Sequence, residues 1–127
     1  MNKKATFDDL IRRKEQKEHD QYKIKNIYVT SMDKELTFKK PSDDTVCDVL
    51  DTMEDMKCMS KVIEGYKKLI YLCCDMLQDS KLHEALGVQD PFDTVNKLFN
   101  LADITEIGEQ LLELIDFNKK VDKVKNS

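Results

Sequence analysis

The stretch Val62–Leu77, VIEGYKKLIYLCCDML, decides how this chain reads. Val62, Ile63, Tyr66, Leu69, Ile70, Cys73, Met76 and Leu77 recur at steps of three and four, and Leu72 and Cys74 widen the stripe. A surface helix carries one apolar face, whereas a helix covered on several sides is apolar around most of its circumference. At about sixteen residues, interrupted by Glu64, Lys67, Lys68 and Asp75, it is too short and too charged to span a bilayer. The stretch therefore predicts the central core helix of one small domain, opened by Met59 or Ser60. Gly65 inside it marks a close approach by another backbone, and Gly108 in the last helix is the expected contact.

Working backwards from that helix, Val46, Val49, Leu50, Met53 and Met56 line one face of a preceding helix, and Asp44, Asp48, Asp51 and Asp55 line the other. Pro41-Ser42-Asp43-Asp44 starts it. The carboxylate stripe lacks the loop and glycine turn of a calcium site and reads as a solvated face. Further back, Ile27–Thr30 is β-branched and aromatic, and Glu35–Lys39 alternates polar with apolar. With Ser31–Lys34 as a polar turn, they predict a β-hairpin within residues 22–40, its Val29, Leu36 and Phe38 facing the helices. Thr6, Asp8 and Asp9 start an N-terminal helix, but only Phe7, Leu10 and Ile11 could dock it. Residues 1–21 are thus expected to form a peripheral charged helix.

Beyond the core helix, Leu77–Ser80 breaks the chain. Lys81–Leu86 makes a short helix closed by Gly87, and Asp90-Pro91 restarts one with Phe92, Val95, Leu98 and Phe99 on its stripe. Ala102-Asp103 leads into the last helix, where Ile104, Ile107, Leu111, Leu114 and Ile115 form the expected buried stripe and Leu112 and Phe117 fall off it. The expected fold is mainly α (α+β): a small helical domain, residues 22–117, with an N-terminal β-hairpin packed on a bundle of about five helices. A disordered tail, 118–127, is expected to follow.

The composition narrows the function. Residues 1–40 hold 11 Lys or Arg against 7 acids, residues 41–116 hold 6 against 17, and residues 117–127 hold 4 against 1. An acidic main domain repels phosphate backbones, so no nucleic-acid partner is expected. The first residues lack the apolar segment of a secretory signal. Cys47, Cys58, Cys73 and Cys74 form no CxxC pair, so reduced, buried thiols are expected in preference to zinc or redox chemistry. His19 and His83 have no ligand partner at i+3 or i+4 and are expected to face solvent. Three scattered glycines make no phosphate loop. The residues point to no catalytic group, metal or cofactor. What remains is recognition of another protein, with Leu112 and Phe117 on the last helix and Val29 and Leu36 on the hairpin as candidate partner-binding residues.

Taken in order, IYVTSMDKELTFKKPS, KKLIYLCCDMLQDSKLHEALGVQDPFDTVNKLF and ADITEIGEQLLEL resemble the XkdN-like tail assembly chaperones of contractile-tailed bacteriophages, from about Ile27 to Phe117. The resemblance lies in the order and spacing of structural signals, none of them catalytic. It implies a non-enzymatic protein of the host cell cytoplasm, or of a prophage-bearing cell. Such proteins bind the tape measure protein, assist polymerisation of the tail tube protein around it and stay out of the mature virion. Self-association along the client is compatible with it, as is a longer frameshifted form. A structural virion component, such as a head–tail connector or tail terminator, is the alternative.

Overall fold

The computed structural model describes residues 3–54 and 57–115. Six helices and one hairpin follow in the order α1 (Phe7–Asp20), β1 (Ile24–Val29), β2 (Lys34–Lys39), α2 (Asp43–Thr52), α3 (Met59–Cys73), α4 (Ser80–Leu86), α5 (Asp93–Leu98) and α6 (Leu101–Leu114), with a 3-10 turn at Asp75–Gln78 after α3. The protein is a mainly helical α+β domain with an antiparallel hairpin ahead of most of its helices. Phe117, the tail 118–127, Met56 and Asp55 lie outside the described residues.

The hairpin puts alternate residues on opposite faces. Ile27 and Val29 on β1, with Leu36 and Phe38 on β2, are buried, as the alternation predicts. Pairing of Ile24 with Lys39 through Val29 with Lys34 makes both strands six residues long, so β1 starts three residues before the expected Ile27. The Lys40 amide donates to the Lys23 carbonyl at 2.9 Å and extends the ladder further. Thr30–Asp33 form the turn, with Asp33 in the left-handed region at φ 52° and its carboxylate accepting the Tyr28 hydroxyl.

At the centre, α3 touches α2, α5, α6 and β2. Eight of its fifteen residues are buried, including Leu69 and Ile70 completely. The expectation that this helix continues to Leu77 is corrected. Cys74 is extended (φ −119°, ψ 107°), and the Gln78 amide donates to the Tyr71 and Leu72 carbonyls at 3.0 and 3.2 Å, closing the last turn. The changed direction still buries Cys74 and Leu77 but turns Met76 out to solvent.

The two helical glycines do not meet each other, which corrects a second expectation. A Cβ on Gly65 would lie 2.1 Å from Cγ of Met53, and one on Gly108 would lie 2.3 Å from Cγ of Tyr66. Each glycine receives a side chain from a neighbouring helix: α3 admits Met53 from the end of α2, and α6 admits the Tyr66 ring of α3.

Local signals place most helix starts. Ser42 accepts the Thr45 amide at 3.2 Å, Asp79 accepts the Lys81 amide at 2.8 Å, and Gly87 ends α4 at φ 68°. Asp90 accepts the Phe92 amide at 3.1 Å, yet that segment is a turn and regular α5 begins only at Asp93. Asn100 and Asp103 form a capping box, so α6 begins at Leu101, ahead of the expected lead-in at Ala102-Asp103. Because α6 packs against both α3 and β1, its apolar arc is wider than one stripe, and Leu112 is buried beside Ile104, Ile107 and Leu111. Leu114 and Ile115, at the helix end, are only half-buried.

Candidate functional site

A reactive centre would need ionisable or nucleophilic groups that converge, with access to solvent. The thiols divide into two kinds. Cys73 and Cys74 are buried, and burial, helped by the neighbouring Cys74, raises the Cys73 thiol to about 12 although Lys39 pulls it down. Burial raises Cys74 as well. Cys47 is exposed and Cys58 half-buried, which corrects the expectation that all four are covered. At the start of α3 the Ser60 hydroxyl, 3.2 Å from the Cys58 sulfur, lowers that thiol, together with the Lys61 amide. His83 does not face solvent as expected. Folded back with α4, it is half-buried, stacks on Tyr71 at 6.1 Å and places Nε2 2.7 Å from the Leu77 carbonyl oxygen. His19 is exposed. Among the described residues, no group of three or more His, Cys, Asp or Glu is placed to hold a metal ion, and no helix is long and apolar enough to cross a membrane.

A groove of about 340 Å³ runs between the end of α2, α3 and the start of α5, lined among others by Thr52, Glu64, Lys67, Lys68 and Phe92. Its cations are engaged locally: Lys67 pairs with Glu64 at 3.3 Å and Lys68 donates to Thr52 at 3.4 Å. Phe92 leans on Tyr71 with ring centroids 4.7 Å apart. The groove carries mixed charge and no focused chemistry.

Three of the four candidate partner-binding residues are inside the domain. Val29, Leu36 and Leu112 are 1, 8 and 3% exposed, so they hold the hairpin to α3 and α6 and offer no docking surface in this fold. Phe117 lies outside the described residues. Several accessible apolar groups lie on the opposite face of the hairpin and on α1. Ile24 (65% exposed) and Tyr28 (47%) point outward on β1, with Tyr22 and Met32 exposed at either end of that strand. Between them the Thr37 hydroxyl donates to Asn26 at 2.6 Å across the strands. The signal was present in the sequence: the alternation that buries Ile27 and Val29 turns Ile24 and Tyr28 to solvent. On α1, Phe7, Leu10 and Ile11 are exposed.

Among the described residues, seven of the eleven exposed large apolar side chains thus fall between Phe7 and Met32, in the basic part of the chain, while Met59, Met76, Phe92 and Leu101 are spread over the acidic part. No protein-family model, curated protein or solved structure matches this chain.

Proposed function

We propose that this protein is a non-catalytic tail assembly chaperone of the XkdN-like kind. It holds the tape measure protein of a contractile-tailed phage in the host cytoplasm and assists assembly of the tail tube around it. The carrying observation is the outward face of the hairpin. Ile24 and Tyr28 flank the Asn26–Thr37 hydrogen bond on the solvent side of strands whose other face is locked into the core, and among the described residues no third strand pairs with the hairpin. Two exposed apolar side chains on a rigid support can anchor an extended or helical client segment without unfolding the keeper. The acidic body keeps such a loaded complex dispersed.

The test is co-expression with the long tape-measure-like reading frame expected beside this gene, followed by affinity capture. The double variant Ile24→Ser, Tyr28→Ser should keep its far-UV circular dichroism and lose most of the captured client. Undiminished capture by the folded variant would refute the assignment. Mass spectrometry of purified particles separates the alternative, because a connector or terminator is present in fixed copy number and a chaperone is absent.

A further inference from the structure

α1 is a fully formed helix that buries none of its own residues. Its capping box joins Thr6 and Asp9, with Asp8 and Asp9 in the first turn and Lys17 and His19 in the last, yet none of its fourteen residues is buried. Local terms of this kind contribute roughly 1 kcal/mol each, and a lone helix of about this length is marginal in water. One tie to its own body is the ion pair of Lys17 with Asp43, 3.8 Å long and exposed on both sides. Pairs of that type hold little.

The side of α1 that reaches Asp43 carries a pattern. Leu10, Arg13, Lys14 and Lys17 follow at i, i+3, i+4 and i+7, so one apolar group and three cations share a stripe, Lys14 holding Glu18 at 3.5 Å in an exposed pair, with Phe7 and Ile11 beside its apolar end. The helix that Lys17 reaches is its electrostatic complement. Within α2, Asp43, Asp44, Asp48 and Asp51 are the only charged residues. Among the described residues no cation pairs with Asp44, Asp48 or Asp51. Exposed Cys47 and half-buried Val46 and Leu50 supply an apolar strip beside these carboxylates.

We propose that α1 docks on α2 of a second copy of this chain. Arg13, Lys14 and Lys17 meet Asp44, Asp48 and Asp51 of the other copy, and Leu10, with Phe7 and Ile11, covers the Val46–Leu50 edge. The weak Lys17–Asp43 pair within one chain exchanges for a larger set between chains. The contact uses neither Ile24 nor Tyr28, so it stands or falls separately from the chaperone assignment.

The experiment is sedimentation velocity on the purified full chain across a concentration series. The wild type should associate, with an affinity falling roughly tenfold or more between about 0.05 M and about 0.5 M salt. The variant Arg13→Glu, Lys14→Glu, Lys17→Glu and the variant Asp44→Lys, Asp48→Lys, Asp51→Lys should each sediment as monomers with unchanged circular dichroism. Mixing the two should restore association, because both contacts across the mixed pair are again of opposite sign. A wild type that stays monomeric at low salt overturns the proposal, as does association that ignores salt and both variants, or a mixture that stays monomeric. Should either variant fail to fold, the salt series with Leu10→Ser decides: unweakened association overturns the contact.

Discussion

α1 and α3 are nearly the same length, fourteen and fifteen residues, and are stabilised in opposite ways. α1 has a complete capping box and charges that suit both ends of its dipole. α3 has no side-chain cap and no compensating charge at either end, yet it buries eight residues where α1 buries none. Caps and dipole charges contribute tenths to about 1 kcal/mol, whereas each fully buried aliphatic side chain contributes about 1.5–3 kcal/mol. Local signals thus write a helix, and burial alone makes it part of the domain.

The largest expected effect attacks the buried member of the pair. Leu69→Ala removes a completely covered side chain from the centre of α3 and should cost about 3 kcal/mol or more in urea unfolding. A cost under about 1 kcal/mol would mean that α3 is not the packing centre.

Alkaline pH attacks the same helix without mutation. Burial raises Tyr66 and Tyr71 above their ordinary 10.0 and Cys73 from 9.0 to about 12. All three lie on α3. The folded chain keeps protons that the unfolded chain releases, so this stability is complete below pH 9 and is lost as pH rises toward about 12. Unfolding titrations should show stability falling steadily over that window, with Cys73 the largest contributor. At neutral pH a thiol reagent should label Cys47 and Cys58 in the folded protein and reach Cys73 and Cys74 only after denaturation.

Gly108→Ala sharpens how tightly α6 closes on α3. The added carbon meets three atoms of the Tyr66 ring, a rigid group, and should cost about 2 kcal/mol despite the roughly 1 kcal/mol gain in helix propensity. Gly65→Ala should cost less, since the Met53 chain it meets can swing aside. Thr94→Val tests the flank of the core, where α5 packs on α3. The Thr94 hydroxyl is fully buried with no hydrogen-bond partner, and its removal should stabilise by about 1 kcal/mol in a thermal melt.

The smallest effect belongs to α1. Leu10→Ser should change global stability by less than about 0.5 kcal/mol. Hydrogen exchange at low protein concentration should find the α1 amides nearly unprotected and those of α3 protected up to global unfolding. Protection of α1 that rises with protein concentration would sharpen the contrast, placing its missing burial in another copy.

The outline of this architecture was legible in the sequence, and its errors share a cause. The strand alternation named Val29, Leu36 and Phe38 as inward, and they are inward. Burial rules out Val29 and Leu36 as a docking surface, and the accessible side chains of the hairpin are Ile24 and Tyr28 on its opposite face. Leu112 falls outside a one-sided stripe because periodicity counts a single neighbour, and α6 has two, α3 and β1. The charged surroundings of His83 point it to solvent, but its partner, the Leu77 carbonyl, is six residues away, beyond the reach of helical spacing.

Read alone, the amino-acid order determined whatever depends on groups three or four positions apart or alternating along a strand. That includes the caps at Thr6 and Ser42, the glycine end of α4, the two faces of the hairpin and the existence of α1. Tertiary structure decided where α3 stops, which side chain each glycine admits, how wide the buried arc of α6 is, and that α1 is left uncovered. Those outcomes depend on groups brought together from distant parts of the chain, and no local spacing encodes how many neighbours a helix will have.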